Sequence, residues 1–459
     1  MQFSWQNTVH IHEQDGTMVG ESAPFGRRTF LRGVGSAGIL AAISPALAAC
    51  GGSSSSTWDG KLNFMGWDHQ PEVIKRLVSS WSTANNVPVD VSISPNVGYA
   101  AAIQTRLRGG DPIDVFYNHS YNSERFIKQD WATPLNDLPG VDDMVANLYP
   151  SARPRYVQAD GKIISVPYYS AVHLMHYNKR MVEDAGFSGP PKNLDETYAQ
   201  AQKLKAGGLE TPYVAYWIKE FCEEYFNVYL LSEGVIPFDD QGDPVFADDP
   251  KTVRVLEWWQ SMYRDGLAAS SVLTDDPGKL STELAQGRAA FFVLHHYFLT
   301  AVRELNGPES PNLFHAPVSA TGETLQIGDV LQMGTITNED RKARAWDLMK
   351  YYGWKDVDGK FTVLTEWAKS SGLVGPYSDF FDDPAVIAAF PDYYDLKFLS
   401  ATFGTGSNVM PVRNQSWYSA FQMKVGDHVH NLLLGNATPT ETVKALTDAA
   451  KAAKKGGGL

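Results

Sequence analysis

Residues 62–117 hold the stretch that decides the fold: Leu62-Asn63-Phe64-Met65-Gly66-Trp67, Pro71 to Trp81, Val87-Pro88-Val89-Asp90-Val91-Ser92-Ile93, Tyr99 to Leu107, and Ile113-Asp114-Val115-Phe116-Tyr117. Leu62 to Phe64 is a short apolar run that closes at Gly66-Trp67-Asp68. Pro71 opens a segment whose Val73, Ile74, Leu77, Val78 and Trp81 fall on one helical face, because side chains three and four apart overlie one another. Val87, Val89, Val91 and Ile93 alternate with Pro88, Asp90 and Ser92, the period of a strand. Tyr99, Ile103 and Leu107 recur at spacing four until Gly109-Gly110 stops the helix, and Ile113 to Tyr117 is again a strand. This β-α-β-α-β order predicts an α/β fold with mostly parallel sheets flanked by helices.

The alternation continues outward. Ile163 to Val166, Val172 to Tyr177 and Ala289 to Leu294 read as strands. Asp249-Pro250 starts a helix with Val253, Leu256 and Tyr263 facing inward, and Asn338 precedes one carrying Ala343, Trp346 and Met349. Thr438-Pro439-Thr440-Glu441 is a capping box, and residues 451–459 read as a flexible tail. A length of 459 residues suggests two to four domain-sized units, and 43% hydrophobic against 20% charged residues excludes global disorder. A net charge of −13 makes a poor nucleic-acid binder, since phosphates demand Lys and Arg. Two cysteines, Cys50 and Cys222, exclude a disulfide scaffold and a multi-Cys zinc site.

The first fifty residues read as an address. Arg27-Arg28-Thr29-Phe30-Leu31 matches a twin-arginine export signal, Gly33 to Ala46 is mildly apolar, and Leu47-Ala48-Ala49-Cys50 resembles a bacterial lipobox. The alternative is an apolar N-terminus with chance arginines, but three signals in the right order rarely coincide. Residues 1–49 are therefore expected to be a signal peptide cleaved before Cys50. Cys50 would carry the lipid, and residues 50–57, rich in Gly and Ser, would form a tether. The expected location is extracytoplasmic and lipid-anchored.

From Leu62 to Ala450 the chain resembles the family-1 extracellular solute-binding proteins, the maltose-binding-protein-like receptors of ABC sugar importers. The match is carried by Gly109-Gly110-Asp111-Pro112-Ile113-Asp114-Val115, by Trp131-Ala132-Thr133-Pro134-Leu135, and most specifically by Gly161 to Tyr169 followed by Tyr177-Asn178-Lys179. Pro190 to Glu196 and Ala285 to Ala290 add to it. The resemblance implies a type II periplasmic-binding-protein fold with a hinge. It places one lobe at residues 58–169 plus 328–352 and the other at 170–327 plus 353–450. It implies a carbohydrate ligand held between the lobes, permease subunits as partners, a monomer, no cofactor and no catalysis.

Open α/β sheets bind ligands beyond the carboxyl ends of their strands. That rule selects Trp67, Asp68, Asn96, Tyr99, Asn118, Ser120, Tyr121 and Tyr168 on the first lobe, and Trp217, Glu220, His296 and Tyr297 on the second. Asp329 on the return crossing and Arg413, by family analogy, complete the set. Sugars present an apolar C–H face and a rim of hydroxyls, which suit aromatic rings beside Asp, Glu, Asn and Arg. Trp67 and Trp217 as cleft walls compete with plain core. Either Tyr168 or Tyr169 is expected to face the cleft, since neighbours on a strand point opposite ways. His295-His296 cannot both chelate a metal from one strand, so no metal site is expected. Glu223-Glu224 reads as a solvated face, Trp258-Trp259 as packing and Cys222 as a small buried residue. Rival functions are a receptor for iron, a polyamine or a phosphate ester, and an extracytoplasmic glycosidase. The chain lacks Gly-x-Ser-x-Gly, His-Glu-x-x-His and phosphate-loop motifs.

Overall fold

The computed structural model describes residues 58–96 and 98–457. The twin-arginine motif, Cys50 and the tether lie outside them. The strands are β1 Leu62–Trp67, β2 Val89–Ser94, β3 Val115–His119, β4 Val166–Pro167, β5 Ala171–Asn178, β6 Tyr213–Val214, β7 Phe291–His295, β8 Leu313–Ala316, β9 Thr324–Ile327, β10 Asp329–Met333 and β11 Ser407–Asn408. They form two sheets, ordered β2-β1-β3-β10-β4 and β11-β9-β5-β7-β6, with β8 also on β5. The opening rhythm holds: β1 pairs parallel with β2 and β3, and helix Pro71–Asn85 buries Ile74, Leu77, Val78 and Trp81. Both sheets are mixed. β10 runs antiparallel to β3 and β4, because it returns from the second sheet, and β5 runs antiparallel to β7 and β9.

Several local expectations shift. The strand read at Ile163 to Val166 shrinks to Val166–Pro167, which pairs with β10, while Ile163 makes an isolated antiparallel bridge to Val157. Helix Lys251–Arg264 turns Val255, Leu256, Trp258, Trp259 and Met262 inward, leaving Val253 and Tyr263 only partly covered. In helix Glu339–Gly353 the small buried residue is Ala345, while Ala343 is exposed. The capping box at Thr438 is present, and its helix continues to Gly456 instead of fraying at Lys451. Ala450 is buried, and the Lys454 ammonium donates to the Gln241 carbonyl (2.8 Å) and pairs with Asp243, which holds this end against the body.

The chain passes from the first sheet to the second at Tyr168–Ser170 and returns at Gly328. These two crossings lie side by side: the Tyr168 amide donates to the Asp329 carbonyl at 2.9 Å. A Cβ on Gly328 would stand 2.3 Å from the Tyr169 carbonyl oxygen, so no larger residue fits without moving backbone. The buried Arg155 guanidinium donates to the carbonyls of Gln326 and Gly328, tying the return crossing down. Gly353 is equally confined, its would-be Cβ 2.3 Å from the Pro167 carbonyl. Gly328→Ala should therefore destabilise the protein by about 1–3 kcal/mol, as overpacking does. Urea unfolding checks this, and an unchanged midpoint would mean the crossings are not so constrained.

Candidate functional site

Where the crossings meet the two sheets, polar and aromatic side chains converge. The Tyr169 hydroxyl donates to Asp329 Oδ2 at 3.0 Å, and Asp329 Oδ1 is 3.1 Å from His119 Nδ1. Asp329 begins β10 directly opposite His119, the last residue of β3, so strand register makes this pair. His119 lies between two rings: Trp67 stacks on it at 5.1 Å and 15°, and Tyr121 at 5.3 Å and 7°. Tyr121 is 41% exposed. From the second sheet, Tyr297 meets Tyr169 edge-on at 6.1 Å, and its hydroxyl is 3.2 Å from His295 Nδ1. Half-buried Tyr216, following β6, packs on Phe221 at 4.7 Å.

Arg413 closes the group on a different footing. Its guanidinium donates in a fork to Glu223, at 3.1 and 2.9 Å, and reaches Glu224 Oε1 at 3.4 Å. Glu223 is completely buried and also accepts from the Tyr418 hydroxyl at 2.6 Å. Glu223-Glu224 is thus no solvated face. The helix Cys222–Ser232 is apolar on most sides and is sunk between the second sheet and helix Tyr418–Leu433. A buried carboxylate needs such a charged, hydrogen-bonded partner, because desolvation otherwise costs several kcal/mol. Burial works against a charged guanidinium, but Glu223 and Glu224 outweigh it and raise the Arg413 pKa.

The expected residues divide sharply. Tyr121, Tyr297, Asp329 and Arg413 come together, and half-buried Ser120 lies beside Tyr121. Asp68 and Asn96 are exposed and hold each other, the Asn96 amide donating to Asp68 Oδ1 at 2.9 Å. Glu220 is exposed on the turn before helix Cys222–Ser232. The remainder are core. Trp217 is wholly buried against Trp259 (5.3 Å) and Tyr213 (6.0 Å), because the chain dives inward after β6 to reach its helix. Trp67 is 3% exposed and backs His119 without reaching the surface. Tyr99 is buried, its hydroxyl 3.1 and 3.0 Å from the Met65 and Tyr117 carbonyls. Asn118 donates to Gln332 Oε1 (2.7 Å) inside the first sheet. Tyr168 stacks on Tyr117 at 4.2 Å, and it is Tyr169 that faces the cluster. His296 is buried, its Nε2 donating to the Gly372 carbonyl at 2.9 Å, and burial pushes its pKa down to about 3.

Sequence reasoning missed His119, since a strand-terminal His beside Ser120 gave no signal apart from its position. It set aside Glu223 and Glu224 on charge alone. The arrangement suits recognition of hydroxyls. Asp329 uses one lone pair on each oxygen and keeps acceptor capacity for a ligand, while Tyr121 offers an accessible ring face.

The model of the bacterial extracellular solute-binding protein family matches residues 70–359, and the chain belongs to that family. A binding protein of Brucella abortus is 27% identical over 208 residues, 44% of this chain and 49% of that protein. The diacetylchitobiose binding protein DasA of Streptomyces coelicolor is 25% identical over 251 residues, 51% and 56% of the two chains. The chain thus spans about half the length of the curated relatives it matches. Among solved structures, maltose-bound MalE3 of T. maritima gives a TM-score of 0.72 at 18% identity, covering 85% of this chain and 99% of that one. The GacH receptor of Streptomyces glaucescens, solved unliganded and with acarbose, gives 0.72 at 19%, covering 87% and 99%. This likeness is one of fold: both sheets belong to a maltose-binding-protein-like, type II periplasmic-binding-protein architecture.

The His119–Asp329 pair has a pH signature. Burial alone would lower the His119 pKa, but the Asp329 carboxylate outweighs it and raises the pKa above the ordinary 6.5. A raised folded-state pKa means the pair's stabilisation is full below about pH 6.5 and is lost as pH climbs through the higher folded value. Asp329→Asn should lower the His119 pKa, because burial then acts with less opposition. NMR titration of His119 in both proteins checks this; equal pKa values would refute the coupling.

Proposed function

We propose that this chain is an extracytoplasmic, lipid-anchored receptor that captures a carbohydrate, a di- or oligosaccharide, between two lobes and presents it to the permease of an ABC importer, without chemical turnover. The lobes are residues 58–169 plus 328–352 and 170–327 plus 353–450. The observation that carries the reading is the cluster of Tyr121, Tyr169, Tyr297 and Asp329 gathered where the crossings meet both sheets. A pyranose would stack its C–H face on Tyr121 and direct hydroxyls to Asp329 and the tyrosine hydroxyls, so that few polar groups stay unpaired on desolvation. The neighbours named for maltose, acarbose and diacetylchitobiose point the same way. Because ligand groups come from both sheets, a closed state binds better than an open one, and ligand draws the hinge shut.

Thermal-shift screening against a sugar panel should find a stabilising saccharide that is recovered unchanged. Tyr121→Ala should then weaken its binding by about 1–2 kcal/mol, roughly five- to thirtyfold, with the apo protein as stable as before. Stabilisation by ferric iron, a polyamine or glycerol phosphate in place of every sugar would overturn the assignment.

Cys50→Ser should leave the fold intact and release the protein from membranes. A variant that still sediments with salt-washed membranes would rule out the lipid anchor.

A further inference from the structure

We propose that His173, Glu224 and His295 form a binding site for a divalent metal ion of the zinc class. His173 on β5 and His295 at the end of β7 are direct cross-strand partners, so both rings leave the same face of the sheet, their centroids 4.4 Å apart. Glu224, in the first turn of helix Cys222–Ser232, reaches that face. Its Oε2 stands 3.3 Å from His173 Nε2 and 3.5 Å from His295 Nε2. All three atoms are buried, lie within 4.8 Å of one another, and make no hydrogen bond of acceptable geometry.

The two spacings from Glu224 to the imidazoles are those of a coordination sphere. Ligands about 2.0–2.1 Å from a tetrahedral ion are separated by about 3.3 Å. The other edges of the side chains are already engaged, as outer-shell partners of a metal site would be. His173 Nδ1 is 3.4 Å from the Leu325 carbonyl, His295 Nδ1 is 3.2 Å from the Tyr297 hydroxyl, and Glu224 Oε1 faces Arg413. The Leu325 carbonyl only accepts, so His173 Nδ1 must carry a proton, and the neutral ring then aims a bare Nε2 lone pair at a carboxylate oxygen. Something positive must lie between them. A single proton there would join one ring to Glu224, as an ion pair or a neutral carboxyl–imidazole pair, whereas a cation is met by both imidazoles and the carboxylate together. That donor set suits zinc, and three protein ligands leave a fourth position for water or a ligand oxygen. The surroundings add no net opposing charge, since Glu223 balances Arg413.

The test uses the full-length protein, stripped with EDTA and dialysed. Zinc(II) titrated against a chromophoric chelator should bind one to one, and cobalt(II) should give the visible absorption of a four-coordinate ion. X-ray absorption of the zinc form should show scattering from two imidazoles, a readout that needs no variant. His295→Gln and Glu224→Gln should each weaken binding by more than the about 10- to 100-fold that an outer-shell change costs. Absence of stoichiometric zinc binding, zinc without imidazole scattering, or undiminished binding in both variants would each overturn the proposal.

Discussion

The two crossing segments touch backbone to backbone, and the rest of the molecule depends on that contact. Gly328 has no Cβ, so the Tyr169 carbonyl can pass where a side chain would stand. The resulting hydrogen bond from the Tyr168 amide to Asp329 fixes one crossing against the other. Arg155 fastens the return crossing from below through two backbone carbonyls. With the crossings fixed, Asp329 enters the first sheet opposite His119, and the second sheet begins at Ala171 beside Ile327. The candidate site is therefore placed by the hinge itself.

Charge organises what the hinge positions. Asp329 is satisfied by a hydroxyl and an imidazole, both neutral or weakly basic groups, and retains room to accept more. Glu223 is spent entirely on structure: a forked guanidinium and a tyrosine hydroxyl leave it buried and complete. The two carboxylates lie in one region and differ in exposure, which separates a group available to solvent from one that locks a helix. Removing one partner of the Glu223–Arg413 pair would strand the other charge, and breaking such pairs typically costs about 3–5 kcal/mol.

The fold was legible because it is written in local periodicity. Ile74, Leu77, Val78 and Trp81 needed only a helical repeat, and Val89 to Ile93 only alternation. The resemblance supplied what periodicity lacks, the passage between two sheets. The site was less legible because the end of a strand says where a residue is and not which way it turns. Trp217 follows β6 as the rule requires, yet the chain turns inward there and the indole joins Trp259. Tyr121, by contrast, lies on a short 3-10 turn with no layer above it and stays accessible. Contacts such as His173 with His295 and Glu224 join residues far apart in sequence and have no local signal at all.

The position of β10 also bears on how the protein is made. β10 supplies the only partner of β3 on one side, yet Asp329 lies 210 residues beyond His119. A nascent chain that has assembled β1, β2 and β3 would show an unpaired, largely apolar strand edge until residue 333 has been synthesised. Pairing across so long a loop is slow, and open edges invite association with other chains. The crossing that places Asp329 thus delays completion of the first sheet, and this protein should rely on chaperone cover during synthesis more than a protein of similar size whose sheets are contiguous in sequence.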